Sequence, residues 1–183
     1  GYVAAGLMLE KVSGKSYKEL VKDLGQQLGI DFNFGNPNAN DTLQPWGHDQ
    51  HLNPEPAGDN YKLNWLLPAG NINVSLPDYA KFVQLQLKGL SGQSGMLTKE
   101  AFNFLHFGLT EFSVGWFWGK DDHNQTYSCN VGNPGAFLTK VFVFKDLDRG
   151  FILFANAQTT DTDTGLDILY EELKKKMSGN SVL

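Results

Sequence analysis

The chain predicts an α+β fold in which helices come first and an antiparallel sheet with one closing helix comes after. Three observations carry this. Apolar residues recur at helical spacing from Tyr2 to Leu28 and again from Ser75 to Leu105. From Phe112 to Asn156 the period shortens to two, in four short runs separated by turn residues. A last helical pattern then covers about residues 162–177. The expected organisation is a single domain over 1–183, with a helical part at about 1–110 and strands plus terminal helix at about 111–178.

The elements follow in order. Tyr2 to Val12 reads as a helix with Val3, Leu7 and Met8 on one face, stopped by Ser13-Gly14. Ser16 and Glu19 have capping-box spacing before a second helix that turns Leu20, Val21, Leu24 and Leu28 inward and ends at Gly29. Residues 33–64 hold Pro37, Pro45, Pro54 and Pro56 with many Asn, Asp and Gly. They predict a long irregular excursion, parts of which pack through Trp46, Tyr61 and Trp65. Ser75 caps a third helix, with Pro77 and Asp78 in its first turn and Tyr79, Phe82, Val83 and Leu87 as its stripe. Thr98 caps a short helix carrying Phe102 and Leu105. The strands are expected at Phe112–Trp118, Gln125–Val131, Phe137–Phe144 and Gly150–Asn156, the last two joined by the charged turn Lys145–Arg149. In the closing helix Leu166, Leu169, Leu173 and Met177 form a face. Asp161, Asp163 and Asp167 precede Lys174, Lys175 and Lys176, an order that matches the helix dipole and reads as a solvated face.

Composition narrows the function classes. A chain of 183 residues buries a sizeable core. A net charge of −5 speaks against a nucleic-acid footprint. No apolar run approaches the ~18 residues that read as a membrane-spanning helix. The single Cys129 rules out an internal disulfide framework and a paired-cysteine metal site; on its strand it reads as a buried, inert thiol. His48-Asp49-Gln50-His51 lacks regular ligand presentation and reads as surface loop, while His106 and His123 are isolated. Three Asn-x-Ser/Thr triplets, at Asn40, Asn73 and Asn124, match a pattern common by chance. Trp116 and Trp118 fall on one strand face and Phe117 on the other, an arrangement that suits a cleft lining or a core.

Four segments in order carry a resemblance. Gly1-Tyr2-Val3-Ala4-Ala5-Gly6 through Glu10-Lys11-Val12-Ser13-Gly14-Lys15-Ser16-Tyr17 is the first, and Pro68-Ala69-Gly70 through Phe82 is the second. Phe112-Ser113-Val114-Gly115-Trp116 is the third. The fourth is Gly132-Asn133-Pro134-Gly135-Ala136-Phe137 with the hairpin ending Phe154-Ala155-Asn156. Together they resemble the serine β-lactamase and penicillin-binding-protein superfamily, in its class C β-lactamase, D-alanyl-D-alanine carboxypeptidase and esterase branch.

The resemblance implies a β-lactamase/transpeptidase-like fold. It also implies acyl-enzyme chemistry on β-lactams, D-alanyl peptides or small esters, with no cofactor and no metal. In such proteins a Ser-x-x-Lys motif supplies the nucleophile and its base, and Tyr-x-Asn a proton shuttle and an amide-orienting group. A Lys-Thr-Gly or His-x-Gly strand holds the substrate carboxylate. Ser-x-x-Lys occurs nowhere in this chain, and Ser128-Cys129-Asn130 matches a variant of the second motif only by coincidence, since it lies on a strand. No catalytic residue is therefore assigned. The third motif falls on Asn130, Val131 and Gly132, the expected substrate-binding residues, with Asn where the family has His or Lys. Asn carries no charge and holds a carboxylate more weakly. Two readings stay open: the C-terminal part of a serine hydrolase whose parent takes such substrates, or a non-catalytic module that binds peptides or cell-wall fragments. The resemblance further implies a periplasmic or envelope parent. It also implies a missing N-terminal segment or self-association to cover an exposed sheet edge.

Overall fold

The computed structural model describes residues 1–39, 41–56 and 66–179. The chain forms two compact units. The first comprises Gly1–Gly47 and Pro54–Phe82, and the second takes His48–Asn53 and the chain from Val83 onward.

In the first unit α1 (Tyr2–Ser13) ends on Gly14 in the left-handed conformation, and α2 (Tyr17–Leu28) ends on Gly29 in the same way. The Ser16–Glu19 capping box forms as the spacing requires, with the backbone N–H of Ser16 donating to Glu19 Oε2 at 2.7 Å. Helix α1 packs on α3 (Leu67–Gly70) through Gly6, where a Cβ would lie 2.3 Å from Pro68 Cγ. That contact selects the buried side of α1 and overturns the expected one: Leu7 and Met8 are 62% and 69% exposed, and Val12 is 88% exposed. In α2, Val21 is buried and Leu24 exposed, because Gly25 brings the helix against the Ile30 carbonyl. The strands β1 (Asn33–Phe34) and β2 (Ile72–Asn73) pair antiparallel. Trp46 is partly buried and its indole N–H donates to the Thr42 carbonyl at 3.0 Å. Tyr61, Trp65 and the glycosylation-like Asn40 lie outside the described residues.

Helix α4 (Leu76–Ser91) starts with the Asp78 N–H donating to Ser75 Oγ at 3.2 Å. Its residues from Val83 onward, together with α5 (Lys99–Phe107), belong to the second unit. Thr98 caps α5 by accepting the Ala101 N–H at 3.2 Å. The sheet of this unit is antiparallel in sequence order: β3 (Phe117–Lys120), β4 (Thr126–Gly132), β5 (Leu138–Phe144) and β6 (Arg149–Ala155). Helix α6 (Thr160–Gly179) closes it, capped by Thr159 Oγ1, which accepts the Thr162 N–H at 3.0 Å.

Strand alternation sorts the side chains between two layers. Leu138, Phe144, Phe151 and Leu153 form one cluster with Leu166 and Tyr170 of α6, joined by Tyr127 and Leu173. The inward face of α6 is thus Leu166–Tyr170–Leu173; Leu169, expected inside, is exposed. Lys174 leaves the solvated face assigned to it. It pairs with Asp121 at 2.7 Å, and both side chains are largely buried. The Asp121 carboxyl sits below the usual range: burial opposes its charge, but Lys174 and the N–H groups of Gln125 and His123 outweigh that. Lys140 reaches from β5 to Asp163 at 2.7 Å and to Asp167, and these partners raise its pKa against the opposing effect of burial.

Residues 112–116, expected as strand, fold back instead. Gly115 takes φ +83°, the Ser113 N–H donates to the Trp116 carbonyl at 2.8 Å, and Phe112 bridges antiparallel to Phe117. Trp116 and Trp118 do share a side: Trp116 stacks on His106 at 4.3 Å, and Trp118 meets Phe107 edge-on. That is core packing.

Two outcomes test this packing. A Cβ on Gly89 would lie 2.3 Å from the ring of Phe102, which is buried. Gly89→Ala is expected to cost about 1–3 kcal/mol by overpacking, more than the ~1 kcal/mol helix-propensity gain. A urea midpoint that rises would refute the close approach. The apolar stripe of α1 is expected to bind a hydrophobic dye, with Leu7→Lys plus Val12→Glu lowering the fluorescence; equal fluorescence in both proteins would show the stripe to be covered.

Candidate substrate-binding site

Strand β4 presents its residues alternately. Ser128, Asn130 and Gly132 fall on one face, and Tyr127, Cys129 and Val131 on the other. The three expected site residues are therefore adjacent but not co-facial. Asn130 pairs across the sheet with Val141, Val131 with Lys140, and Gly132 with Thr139. The amide Nδ2 of Asn130 donates to the Gly115 carbonyl. Val131 is 51% exposed on the opposite face. At Gly132 a Cβ would stand 2.5 Å from Thr139 Oγ1, so the missing side chain is what admits the close approach. The turn after it is fixed locally: Asn133 Oδ1 accepts the Gly135 N–H at 3.1 Å, and Gly135 takes φ +105°.

His48, which reads from sequence as surface loop, is fastened to this end of the sheet. Its backbone N–H is shared between the carbonyls of Ala136 at 3.0 Å and Asn156 at 2.9 Å, and its own carbonyl accepts the Gln158 N–H at 3.1 Å. Its ring Nδ1 lies 2.9 Å from the Asn156 carbonyl. A carbonyl only accepts, so the ring donates through Nδ1–H. The following loop closes on Asp49, whose Oδ1 accepts the N–H groups of His51 at 2.8 Å and Asn53 at 2.9 Å. No pattern in the sequence signals this attachment, because every bond but one is made by backbone.

His106, isolated in the sequence, is not isolated in the fold. It is fully buried, with Nδ1 2.6 Å from Ser128 Oγ and Nε2 3.1 Å from Gln86 Oε1. Gln86 Oε1 needs a donor, which places the proton on Nε2 and makes Ser128 the donor to Nδ1. The line Ser128–His106–Gln86 has the connectivity of a hydrolytic triad, but Ser128 is fully buried as well. Its hydroxyl meets no substrate, and the line is a structural link between α4, α5 and β4. The coincidental Ser-x-Asn match at Ser128 is explained in the same way. Burial pushes the His106 pKa down to about 4, and burial also raises that of the Cys129 thiol. Among the described residues no group of His, Cys, Asp and Glu is placed to hold a metal ion.

A profile of the family described as Beta-lactamase matches residues 1–174. The chain belongs to the Beta-lactamase family. No curated protein sequence gives a match. Among solved structures, this Beta-lactamase-family chain is similar to a β-lactamase/D-alanine carboxypeptidase from Pseudomonas syringae, with TM-score 0.69 and 13% identity over 91% of this chain and 56% of that one. It is also similar to a class C β-lactamase from Rhodobacter sphaeroides, with TM-score 0.69 and 13% identity over 94% and 59%. An octameric penicillin-binding protein homologue from Pyrococcus abyssi gives TM-score 0.66 and 18% identity over 86% and 37%. At such identities the likeness is one of fold. The α+β architecture of helices, antiparallel sheet and terminal helix is that of the family. The chain spans roughly two fifths to three fifths of the length of these structures. Among the described residues no helix is long and apolar enough to cross a membrane.

The buried imidazole sets a pH dependence. The folded pKa of about 4 lies below the ordinary 6.5, so the unfolded chain binds the extra proton first. Stability is then complete above pH 6.5 and is lost as pH falls toward 4. Between pH 7 and pH 5 the loss should be about 2 kcal/mol. Urea unfolding at both pH values checks it: His106→Gln should flatten the difference, and an unchanged difference would remove His106 as its source.

Proposed function

We propose that this chain is the C-terminal portion of a serine hydrolase of the β-lactamase type. Its parent works through an acyl-enzyme on β-lactams, D-alanyl peptides or small esters. The observation that carries the reading is β4: within a chain matched to the Beta-lactamase family over residues 1–174, it brings Asn130 and Gly132 to one face of a sheet end closed by a fixed turn. In this reading β4 is the substrate-binding strand. Its Gly132 end brings backbone close to the acyl group, where N–H groups stabilise a developing oxyanion. A serine hydroxyl becomes a nucleophile only with a base beside it. The polypeptide preceding Gly1 supplies both in this proposal, since neither Ser-x-x-Lys nor Tyr-x-Asn lies within the 183 residues. The chain alone is then inactive. The same segment, or a second copy of the chain, covers the exposed α1 stripe; the octameric state of the Pyrococcus homologue supports the second possibility. The periplasm or cell envelope is the proposed location.

A second reading, a binding module without hydrolysis, draws on Asn130, whose amide is already engaged by Gly115. Labelling separates the two. Extract from the native host, treated with a fluorescent fluorophosphonate and a fluorescent penicillin, should show label on a band of about twice the 20.3 kDa of this chain. A protein of that size, present and untouched by either probe, would favour the binding module.

A further inference from the structure

We propose that the sheet end at Asn130 and Gly132 receives an uncharged acyl group, an ester or amide without a free carboxylate. This rests on the serine-hydrolase reading and narrows its substrate class.

A carboxylate that leaves water must recover its solvation from a cation or from several free donors. Here the donors are committed inside the protein. Asn130 has no charge, and its amide donates to Gly115 O. The acceptor is presented by a turn whose φ of +83° favours glycine, so the bond is built into the backbone. The hydroxyl of Thr139, the next polar group on that face, is directed at Gly132 O, 3.5 Å away. Pro134, in the turn, has no N–H to offer.

Among the described residues, the cations carried by the four-stranded sheet and its β5–β6 turn are engaged too. Lys140 shares the opposite face with Val131 and is held by Asp163 and Asp167. Lys120 donates to Asn124 Oδ1 at 2.9 Å, and Arg149 to the Met177 carbonyl at 2.8 Å. Lys145 lies over the Phe107 ring at 4.8 Å. Beside Gly115 the chain instead exposes apolar groups, Val114 and Phe112. An arriving carboxylate would lose water against spent dipoles, whereas a neutral acyl chain would lose it against carbon.

The test uses the full-length protein from its native gene and two p-nitrophenyl esters of one acyl skeleton, one bearing a carboxylate and one not. Both esters are assayed at pH 8. The neutral ester should show the higher kcat/KM by at least about tenfold, the size of one charge-assisted contact. Asn130→Lys should shift the ratio toward the carboxylate ester by a similar factor. A wild-type preference for the carboxylate ester would overturn the inference and leave the hydrolase reading standing. If neither ester is turned over and neither labels the protein, the hydrolase reading falls and takes the inference with it. The wild-type ratio decides the matter even if the lysine variant does not fold.

Discussion

Strand β5 is buried on both faces, and that constraint organises the second unit. Val141 and Val143 fill the layer on the α4–α5 side, while Leu138 and Phe144 fill the layer under α6. Such a strand cannot shift by one residue without exchanging two apolar layers, so its register is fixed from both sides. It pairs with β4 through five residue pairs and with β6 through seven. The fixed register is therefore handed to the neighbours. Asn130 opposite Val141 and Gly132 opposite Thr139 are placed by β5, and the geometry of the candidate site derives from core packing.

Two histidines show how accessibility, more than connectivity, decides what a polar arrangement is for. Ser128, His106 and Gln86 are bonded in the order that a nucleophile, base and orienting group would have, yet they are buried beside Trp116. The low pKa of His106 reflects the same burial. His48 is partly exposed, its ring Nδ1–H donates to a carbonyl, and it stands at the rim of the sheet. The first is held for stability, the second closes the end of the sheet where the turn after Gly132 begins.

The element order was legible because it rests on local chemistry. Ser16 with Glu19, Thr98 and Gly29 each act within one turn, and the strands from 126 to 155 are short runs bounded by turn residues. Which side of a helix is buried was less legible. The α1 pattern of Val3, Leu7 and Met8 marks an apolar face, but the close approach at Gly6 to Pro68 decides the packing, and a glycine leaves no apolar signature. Leu169 misled for a related reason: Tyr170, one position on, reaches the cluster in its place. Phe112–Trp116 alternates as a strand does, and a single left-handed glycine turns it back. At the site, the position of Asn130 to Gly132 came from resemblance, while its engagement by Gly115 and the arrival of His48 depend on backbone groups some 15 and 108 residues distant. Backbone donors are the same at every position, so composition cannot announce them.

The Asp121–Lys174 pair has a consequence for synthesis. Asp121 sits in the β3–β4 turn, early in the sheet, and the cation that pairs with its buried carboxylate comes from the last turns of α6. Leaving one member of a buried pair alone costs about 3–5 kcal/mol. Strands β3 to β6 emerge from the ribosome long before residue 174. Until that lysine packs, the Asp121 carboxylate has only the local N–H groups of His123 and Gln125 as partners. The unit thereby completes its charge pairing only when the closing helix arrives, as the final fastening.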